Sequence, residues 1–367
     1  MQITQALAEG PGWPTRPPYA GPLAGTKVLD LSRVLAGPYC CMVLADLGAD
    51  VLKVERPEVG DDTRHWGPPF HGMDAAYFFS VNRDRRSLAL DLTTPQGHAV
   101  VARLIEEADV VVENFLPHHL VAFGLDALRD KGSAVWVSVR GAGGDGPDGG
   151  KPGYDVMAQA RSGLMSVTGT TEPTKVGVAV ADIVTGLYAA VGALAGLVSR
   201  RPLQVEVGLL EAAVSMLVTQ ASKALIGGVV PRPPRTAHPN LVPYGPLACP
   251  VTLLVLGARN VTPFAGLCAA PALSVPDGRR PNPRISEGTI VSAVAGARYE
   301  WTAEGGIIGA AKIDGEEGGF GARSASGVSC TSLASSNAAS VAPPTLDRPI
   351  TFPTLRLPML QFHVPTP

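Results

Sequence analysis

The sequence has no block of lysine and arginine and little charge of any kind: charged residues make up 17% of it, and 30 basic against 32 acidic residues leave a formal net charge of −2. Without a basic stripe there is no electrostatic footprint for nucleic acid or an anionic membrane. Cysteine is scarce: Cys40, Cys41, Cys249, Cys268 and Cys330 are odd in number and form no C-x-x-C pair. Zinc-ribbon and disulfide-scaffold classes are thereby disfavoured, and a reducing compartment is favoured. The histidines (His65, His71, His98, His118, His119, His238 and His363) show no metal spacing, and no G-x-S-x-G elbow occurs. Metallohydrolase and serine-hydrolase readings lose their basis, and no metal site is expected. The first twenty residues carry neither an apolar signal core nor an Arg-rich amphipathic pattern, so no targeting signal is read.

What is present is apolar material. Hydrophobic residues are 46% of 367, and 42 Gly with 34 Pro are many without reaching the composition of a disordered chain. That length suggests about two domains. Between Gly25 and Gln220, short β-branched runs alternate with longer helical patterns, the signature of a parallel sheet covered by helices. Strands are predicted at 26–31, 50–55, 87–92, 109–113, 134–139, 176–181 and 204–207. Helices are predicted at 38–47, 95–107, 154–164, 183–198 and 209–217. The stretch 176–199 carries Asp182 as its only charge and is long enough to span a bilayer. Gly177, Gly186, Gly192, Gly196 and the acidic residue itself fit a strand turning into a buried helix better, and no membrane partner is expected.

From about Ser274 the character changes. Residues 318–367 hold only Arg323, Asp347, Arg348 and Arg356 as charges, 324–340 is rich in Ser and Ala, and proline recurs from Pro343 onward. Such composition cannot offset its ordering entropy, so most of this tail is expected to be flexible. The expected organisation is a flexible N-terminus (1–21), a large α/β domain (22–225), a linker with the start of a small domain (226–273), and an anomalous tail (274–367).

Three features could carry chemistry. The first strand is followed by Ser32-Arg33-Val34-Leu35-Ala36-Gly37-Pro38 rather than G-x-G-x-x-G, which disfavours nicotinamide but leaves a helix start able to meet an anion. Arg56, Asn114, Phe115 and Arg140 stand at or just beyond predicted carboxyl ends of strands, where open α/β sheets bind ligands. Two guanidinium groups, an amide and an aromatic suit a phosphorylated, adenine-bearing ligand, although Arg56 could equally pair with Glu58 or Asp61 at the surface. Asp182, a lone carboxylate between Val178-Ala179-Val180-Ala181 and an apolar helix, has two open readings. It caps the helix, or it is a partly desolvated nucleophile toward an activated acyl carbon.

A set of ordered motifs then resembles the class III CoA-transferases: RVLAGP (33–38), LADLGADVLKVERPEVGDDTR (44–64), SVNRDRRSLALDL (80–92), ADVVVENFLP (108–117) and GYDVMAQARSGLMSVTG (153–169). WGPPF (66–70), SGLMSVTG and TAHPNLVPY (236–244) are similar to the dicarboxylate-using members. The likeness covers roughly residues 22–273. It implies a Rossmann-like large domain with a smaller second domain, here incomplete. It also implies transfer of CoA from an acyl-CoA such as succinyl-CoA to a carboxylic acid, of the dicarboxylic kind, through an aspartyl intermediate on Asp182. CoA contacts are implied at Val34, Leu35, Ala36, Arg56, Leu90, Asn114, Phe115 and Arg140. CoA thioester is the substrate, with no permanently bound cofactor.

The resemblance further implies an interlocked homodimer and a mitochondrial or cytoplasmic setting. Departures occur at Ala122, where some members have a basic residue, and at Ala142, where some have an aromatic. The turn SRRPLQVEV also lacks the Thr-Gly-Lys-Gly-type insertion common in relatives. Racemases of the superfamily carry Gly-His-Asp where this chain has Gly153-Tyr154-Asp155, which costs a racemase one of its two acid–base partners. That activity, and an inactive CoA-binding product with a disrupted C-terminal region, are the alternatives.

Overall fold

The computed structural model describes Trp13, residues 20–144, 146–233, 238–240, 244–248 and 253–259, and the strand backbones 287–290, 297–303, 306–313 and 361–363. The remaining parts of the expected N-terminus, linker and tail lie outside the described residues. The chain divides into two units, residues 1–233 with 354–367, and 234–353.

The first unit is built on strands β1 (Lys27–Asp30), β2 (Asp50–Glu55), β5 (Arg86–Ala89), β6 (Val110–Glu113), β7 (Val135–Arg140) and β8 (Leu203–Gly208). A short hairpin, β3 (Phe70–His71) and β4 (Asp74–Ala75), stands apart from them. The sheet order β8-β7-β6-β1-β2-β5 is parallel throughout. Counted along the chain this is the doubly wound order 3-2-1-4-5-6, with its switch point between β1 and β6. A strand at Gln361–His363 adds to the β8 edge antiparallel, in a stretch where the sequence shows no strand period. Edge pairing asks only for free backbone groups, so it leaves little trace in side-chain pattern.

Helices cover both faces. On one side α1 (Ala36–Asp46), α7 (Val180–Ser199) and α8 (Leu209–Ser215) pack on Val28, Val51, Val110, Val137 and Val205. On the other, α3 (Pro95–Glu107), with α4 (Pro117–Ala122) and α5 (Leu125–Lys131), covers Leu29, Leu52, Val111 and Trp136. Neighbouring residues of one strand thus enter opposite cores, which is why the strands read as unbroken apolar runs. Short helices α2 (Ala76–Val81) and α6 (Asp155–Arg161), and α9 (Val218–Gly227), complete this unit. Trp13, inside the segment expected to be flexible, is buried and donates through Nε1 to Asp50 Oδ2 at 2.9 Å.

Residues 176–181, expected as a strand, pair with no strand. Side chains satisfy this backbone instead: Val176 N–H donates to Gln159 Oε1 and Ala181 N–H to Asp155 Oδ1, each at 2.8 Å. With those bonds made, α7 begins at Val180.

α7 is long and apolar enough to cross a membrane by length and composition. Its stripe of Ala181, Thr185, Gly186, Ala189, Ala190 and Ala193 is buried in the core of this unit. The small residues permit close approach: a Cβ at Gly186 would lie 2.6 Å from the Ala36 carbonyl oxygen and 3.0 Å from Tyr39 Cβ.

In the second unit β10 (Leu253–Arg259) lies between β9 (Tyr244–Ala248) and β11 (Glu287–Ile290), antiparallel to both. Strands β12 (Ala297–Ala303) and β13 (Gly306–Ile313) form a hairpin with a register shift at Trp301/Thr302.

Because the obstacle at Gly186 is backbone, Gly186→Val should destabilise the first unit by about 2–4 kcal/mol. Urea unfolding measures this, and a variant as stable as the parent would contradict the close packing of α1 on α7.

Candidate active site

The switch point is held by reciprocal bonds. Asn114, just after β6, accepts through Oδ1 from Arg33 N–H (3.0 Å) and donates through Nδ2 to the Arg33 carbonyl (2.7 Å). The next residue, Val34, has φ 72°, a left-handed conformation costly for a β-branched side chain. Its N–H points at the Asp61 carboxylate, 3.3 Å from each oxygen. Asp61 is buried against Lys53, whose Nζ lies 3.0 Å from Asp61 and 3.5 Å from Asp30 and donates to the Ser32 carbonyl at 2.8 Å. Asp30 is also bound by Arg85 at 2.6 Å. Asp61 N–H in turn donates to Glu55 Oε2. Burial alone would raise Glu55, but bonds from Arg64, Ser87 and the Asp61 N–H outweigh it and hold its carboxyl at about 2.

Two adjoining cavities open at this edge. One, of about 250 Å³, is lined by Arg33, Glu55, Arg56, Leu90, Phe115 and Phe123 among others. The other, of about 230 Å³, has Val34, Leu35, Ala36, Asn114, Arg140 and Asp182 in its wall, and shares Arg33, Phe115 and His119 with the first. Strand ends and two helix starts thus bring all nine residues singled out in the sequence to the walls of these two cavities. Lys151, Tyr154, Arg33 and His119, none of them singled out, line the second as well.

The side chains differ in what they offer. Arg56 pairs with Asp62 (2.6 Å), not with Glu58 or Asp61, and Asp62 also receives Arg33 (3.4 Å). Two guanidinium groups share this one carboxylate, and among the described residues Arg33 Nε is buried without an acceptor. Arg140, expected as a phosphate-binding group, is committed elsewhere. Its two terminal nitrogens bind Glu113 at 2.9 and 3.0 Å and Nη1 also reaches the Phe115 carbonyl at 2.9 Å. Burial opposes the Arg140 charge, but Glu113 prevails and lifts the guanidinium above its ordinary value. Glu113 Oε2 also accepts from Phe115 N–H at 2.8 Å, so this buried pair shapes the Asn114–Phe115 turn rather than presenting a free cation.

α1 starts at the cavity wall with no side chain capping it, leaving first-turn donors toward the space. Phe115 packs edge-on to Phe123 (5.4 Å), and His119 stacks on Phe123 (6.0 Å), forming an aromatic wall between the cavities.

Asp182 sits in the first turn of α7. Among the described residues no group donates a hydrogen bond to its carboxylate, so it does not serve as the helix cap. Burial, and then the nearby charge of Asp155, push it up to about 7. An unpaired carboxylate half-ionised at neutral pH in a cavity wall is what a nucleophile or a base requires.

A doubly wound α/β domain with a ligand crevice at its switch point is the class these features define. The profile of CoA-transferase family III matches residues 23–288, and the chain belongs to that family. The human succinyl-CoA:glutarate CoA-transferase is 42% identical over 256 residues, covering 67% of this chain and 58% of the relative. The Agrobacterium fabrum succinate–glutarate CoA-transferase is 43% identical, covering 70% of this chain and 67% of the relative. A Haloarcula hispanica succinyl-CoA:mesaconate CoA-transferase is 39% identical over 68% of this chain and 67% of the relative. The crystal structure of a CaiB/BaiF family protein from Brucella suis superposes with a TM-score of 0.61 at 40% identity, covering 67% of this chain and 68% of that one. The chain therefore spans about three-fifths to two-thirds of the length of these relatives.

The Asp182 shift has a thermodynamic sign. Its folded value lies above the unfolded one, so ionisation costs nothing below about pH 4, costs more as pH rises toward 7, and reaches its full cost above that. From 3.8 to about 7, at about 1.4 kcal/mol per unit, Asp182→Asn should stabilise the protein by order of 2–4 kcal/mol at pH 8.5. The gain should vanish near pH 4. Unfolding free energies across pH measure it, and a pH-independent difference would contradict the desolvated carboxylate.

Proposed function

We propose that the protein transfers CoA from an acyl-CoA, such as succinyl-CoA, to a dicarboxylic acid, with Asp182 as nucleophile. The observation that carries this is the desolvated Asp182 carboxylate, unpaired among the described residues, in a cavity that shares Arg33, Phe115 and His119 with a second one that suits a nucleotide. The names of the relatives, succinyl-CoA-dependent transferases acting on glutarate and mesaconate, support the substrate class.

In this reading Arg33 and Arg56 meet the phosphates, the wall of Phe115, Leu90 and Phe123 takes the base, and Val34, Leu35 and Ala36 flank the pantetheine arm. Asn114 and Arg140 hold the loops that do so. The Asp182 oxygen attacks the thioester carbon and CoA thiolate leaves, giving a mixed anhydride. The thiolate then attacks the Asp182 carbonyl, releasing the donor acid and forming an aspartyl-CoA thioester. The acceptor carboxylate attacks that carbonyl in turn, and the thiolate finally moves to the acceptor acyl carbon, freeing Asp182. Charge stays on oxygen or sulfur throughout, so no proton donor is needed and Tyr154 can stand where a racemase has imidazole. Burial suits this sequence, because water would hydrolyse both anhydride and thioester.

A homodimer belongs to the same proposal; Leu187, Val191 and Val198 leave an exposed apolar face on α7 that a second copy would cover. The buried free thiols of Cys40 and Cys41 fit a reducing mitochondrial or cytoplasmic setting.

With succinyl-CoA and glutarate, hydroxylamine should trap Asp182 as a hydroxamate detectable by peptide mass spectrometry, and Asp182→Ala should lower kcat by at least about a thousandfold. The rate should rise with pH through a midpoint at about 7. Full activity in Asp182→Ala would end this reading. Lys151, in the wall of the Asp182 cavity and 2.6 Å from Asp148, is in this reading the group that meets the acceptor's far carboxylate. Lys151→Ala should raise KM for a dicarboxylate acceptor about tenfold while leaving KM for the acyl-CoA within about twofold. Steady-state kinetics with both substrates varied decides this.

A further inference from the structure

The backbone leading into Asp182 is held by two side chains that line neither cavity. Asp155, at the start of α6 and 8% exposed, accepts from Ala181 N–H through Oδ1 (2.8 Å) and from Gln159 Nε2 through Oδ2 (2.7 Å). Gln159, one turn on and fully buried, accepts from Val176 N–H through Oε1 (2.8 Å), and its Nε2 lies 3.4 Å from the Val178 carbonyl. Polarity in this relay is fixed. A backbone N–H only donates, so Gln159 must turn its oxygen to Val176 and its amide nitrogen to Asp155. The relay supplies what α7 cannot supply for itself, since Ala179, the residue before its start at Val180, provides no side-chain cap.

We infer that Asp155, aligned by Gln159, is the positioning residue for Asp182: it ties the first turn of α7 so that the Asp182 carboxylate faces the cavity with no partner. The inference rests on the proposed nucleophilic role of Asp182. Ala181 is the neighbour of Asp182, so an error of one bond at Ala181 displaces the carboxylate directly. Such displacements are costly in a transfer that needs a reacting oxygen in line with a thioester carbon.

Asp155 also acts through its charge. After burial, that charge is what raises Asp182, and both carboxylates raise Tyr77 of α2, which is pushed up to about 12 chiefly by its own burial. The other charged or titratable groups in the cavity wall are Arg33 and Asp62, which pair with each other, Arg140 on Glu113, Lys151 on Asp148, His119 and Tyr154. Compared with these groups, Asp155 is a negative charge near Asp182 that no cationic side chain among the described residues binds.

The test uses the full-length protein and the relay's polarity. In Asp155→Asn the new amide can accept from Ala181 only by facing its NH2 toward that of Gln159, so one bond is lost and one charge removed. This variant should lower kcat about 10- to 100-fold with KM for acyl-CoA within about twofold, and should move the acid limb of the rate profile to lower pH. In the double variant Asp155→Asn with Gln159→Glu, the amide now at position 155 donates to the carboxylate now at position 159, whose other oxygen accepts from Val176. All three bonds return with the carboxylate moved one turn along α6, and kcat should recover to within about threefold of the parent.

Parent-like kcat and pH profile in Asp155→Asn, or a folded double variant no faster than Asp155→Asn, would overturn the inference. Carbon-13 NMR titration of the Asp182 carboxyl separates this from the transferase reading. If the parent shows no transfer at all, the function fails, yet a lower Asp182 midpoint in Asp155→Asn still supports the coupling and an unchanged one still refutes it.

Discussion

One buried ammonium holds the ligand edge together. Lys53 is 1% exposed in the middle of β2, touching Asp30 at the end of β1, Asp61 in the loop after β2, and the Ser32 carbonyl in the loop after β1. An isolated charge at that depth would cost several kcal/mol, and two carboxylates with a carbonyl offset it. Because the partners come from two segments, 30–32 and 61, the charge is satisfied only when both are in place. Asp61, once located, can receive the Val34 N–H and so hold a β-branched residue at φ 72°. That loop, with Asn114 bonded to both sides of Arg33, shapes the crevice at the switch point.

The structure treats its charges in two ways. Lys53, Arg140 and Glu113 are buried and fully partnered, and they serve shape. Asp182 is half-buried and, among the described residues, left without a hydrogen-bond donor; in the proposed reading it serves chemistry. The second arrangement costs stability, which a well-packed doubly wound core of valine, leucine and small helix residues can supply. Glycine and alanine on α7 contribute by letting it lie close to α1, keeping Asp182 beside the loop that begins at Arg33.

Much of this was legible in the sequence. Strand ends could be counted from β-branched runs, and a parallel sheet places such ends on one edge, so Arg56, Asn114, Phe115 and Arg140 could be grouped before any contact was seen. Asp182 stood out because nothing near it in sequence accounts for a charge. Other features were hidden because they depend on partners distant in the chain. Lys53 in DVLKVE looks like the polar position of an alternating strand, yet it is among the most buried residues. Val176–Ala181 has strand composition, but Gln159 and Asp155 accept the N–H groups near its two ends, and it pairs with no described strand. Arg140 reads as a ligand for phosphate until Glu113, 27 residues earlier in sequence, is found to hold both of its terminal nitrogens.

The central claim is that the Asp182 carboxylate becomes covalently bonded in every turnover. If so, one of its oxygens must come from the acceptor acid, because the thiolate that leaves with the acceptor acyl group returns the bridging oxygen of the anhydride to Asp182. Turnover of succinyl-CoA with glutarate labelled with oxygen-18 in both carboxylates, followed by digestion and mass spectrometry, reads this directly. The account predicts oxygen-18 in the peptide containing Asp182. Turnover that leaves that peptide unlabelled would contradict it.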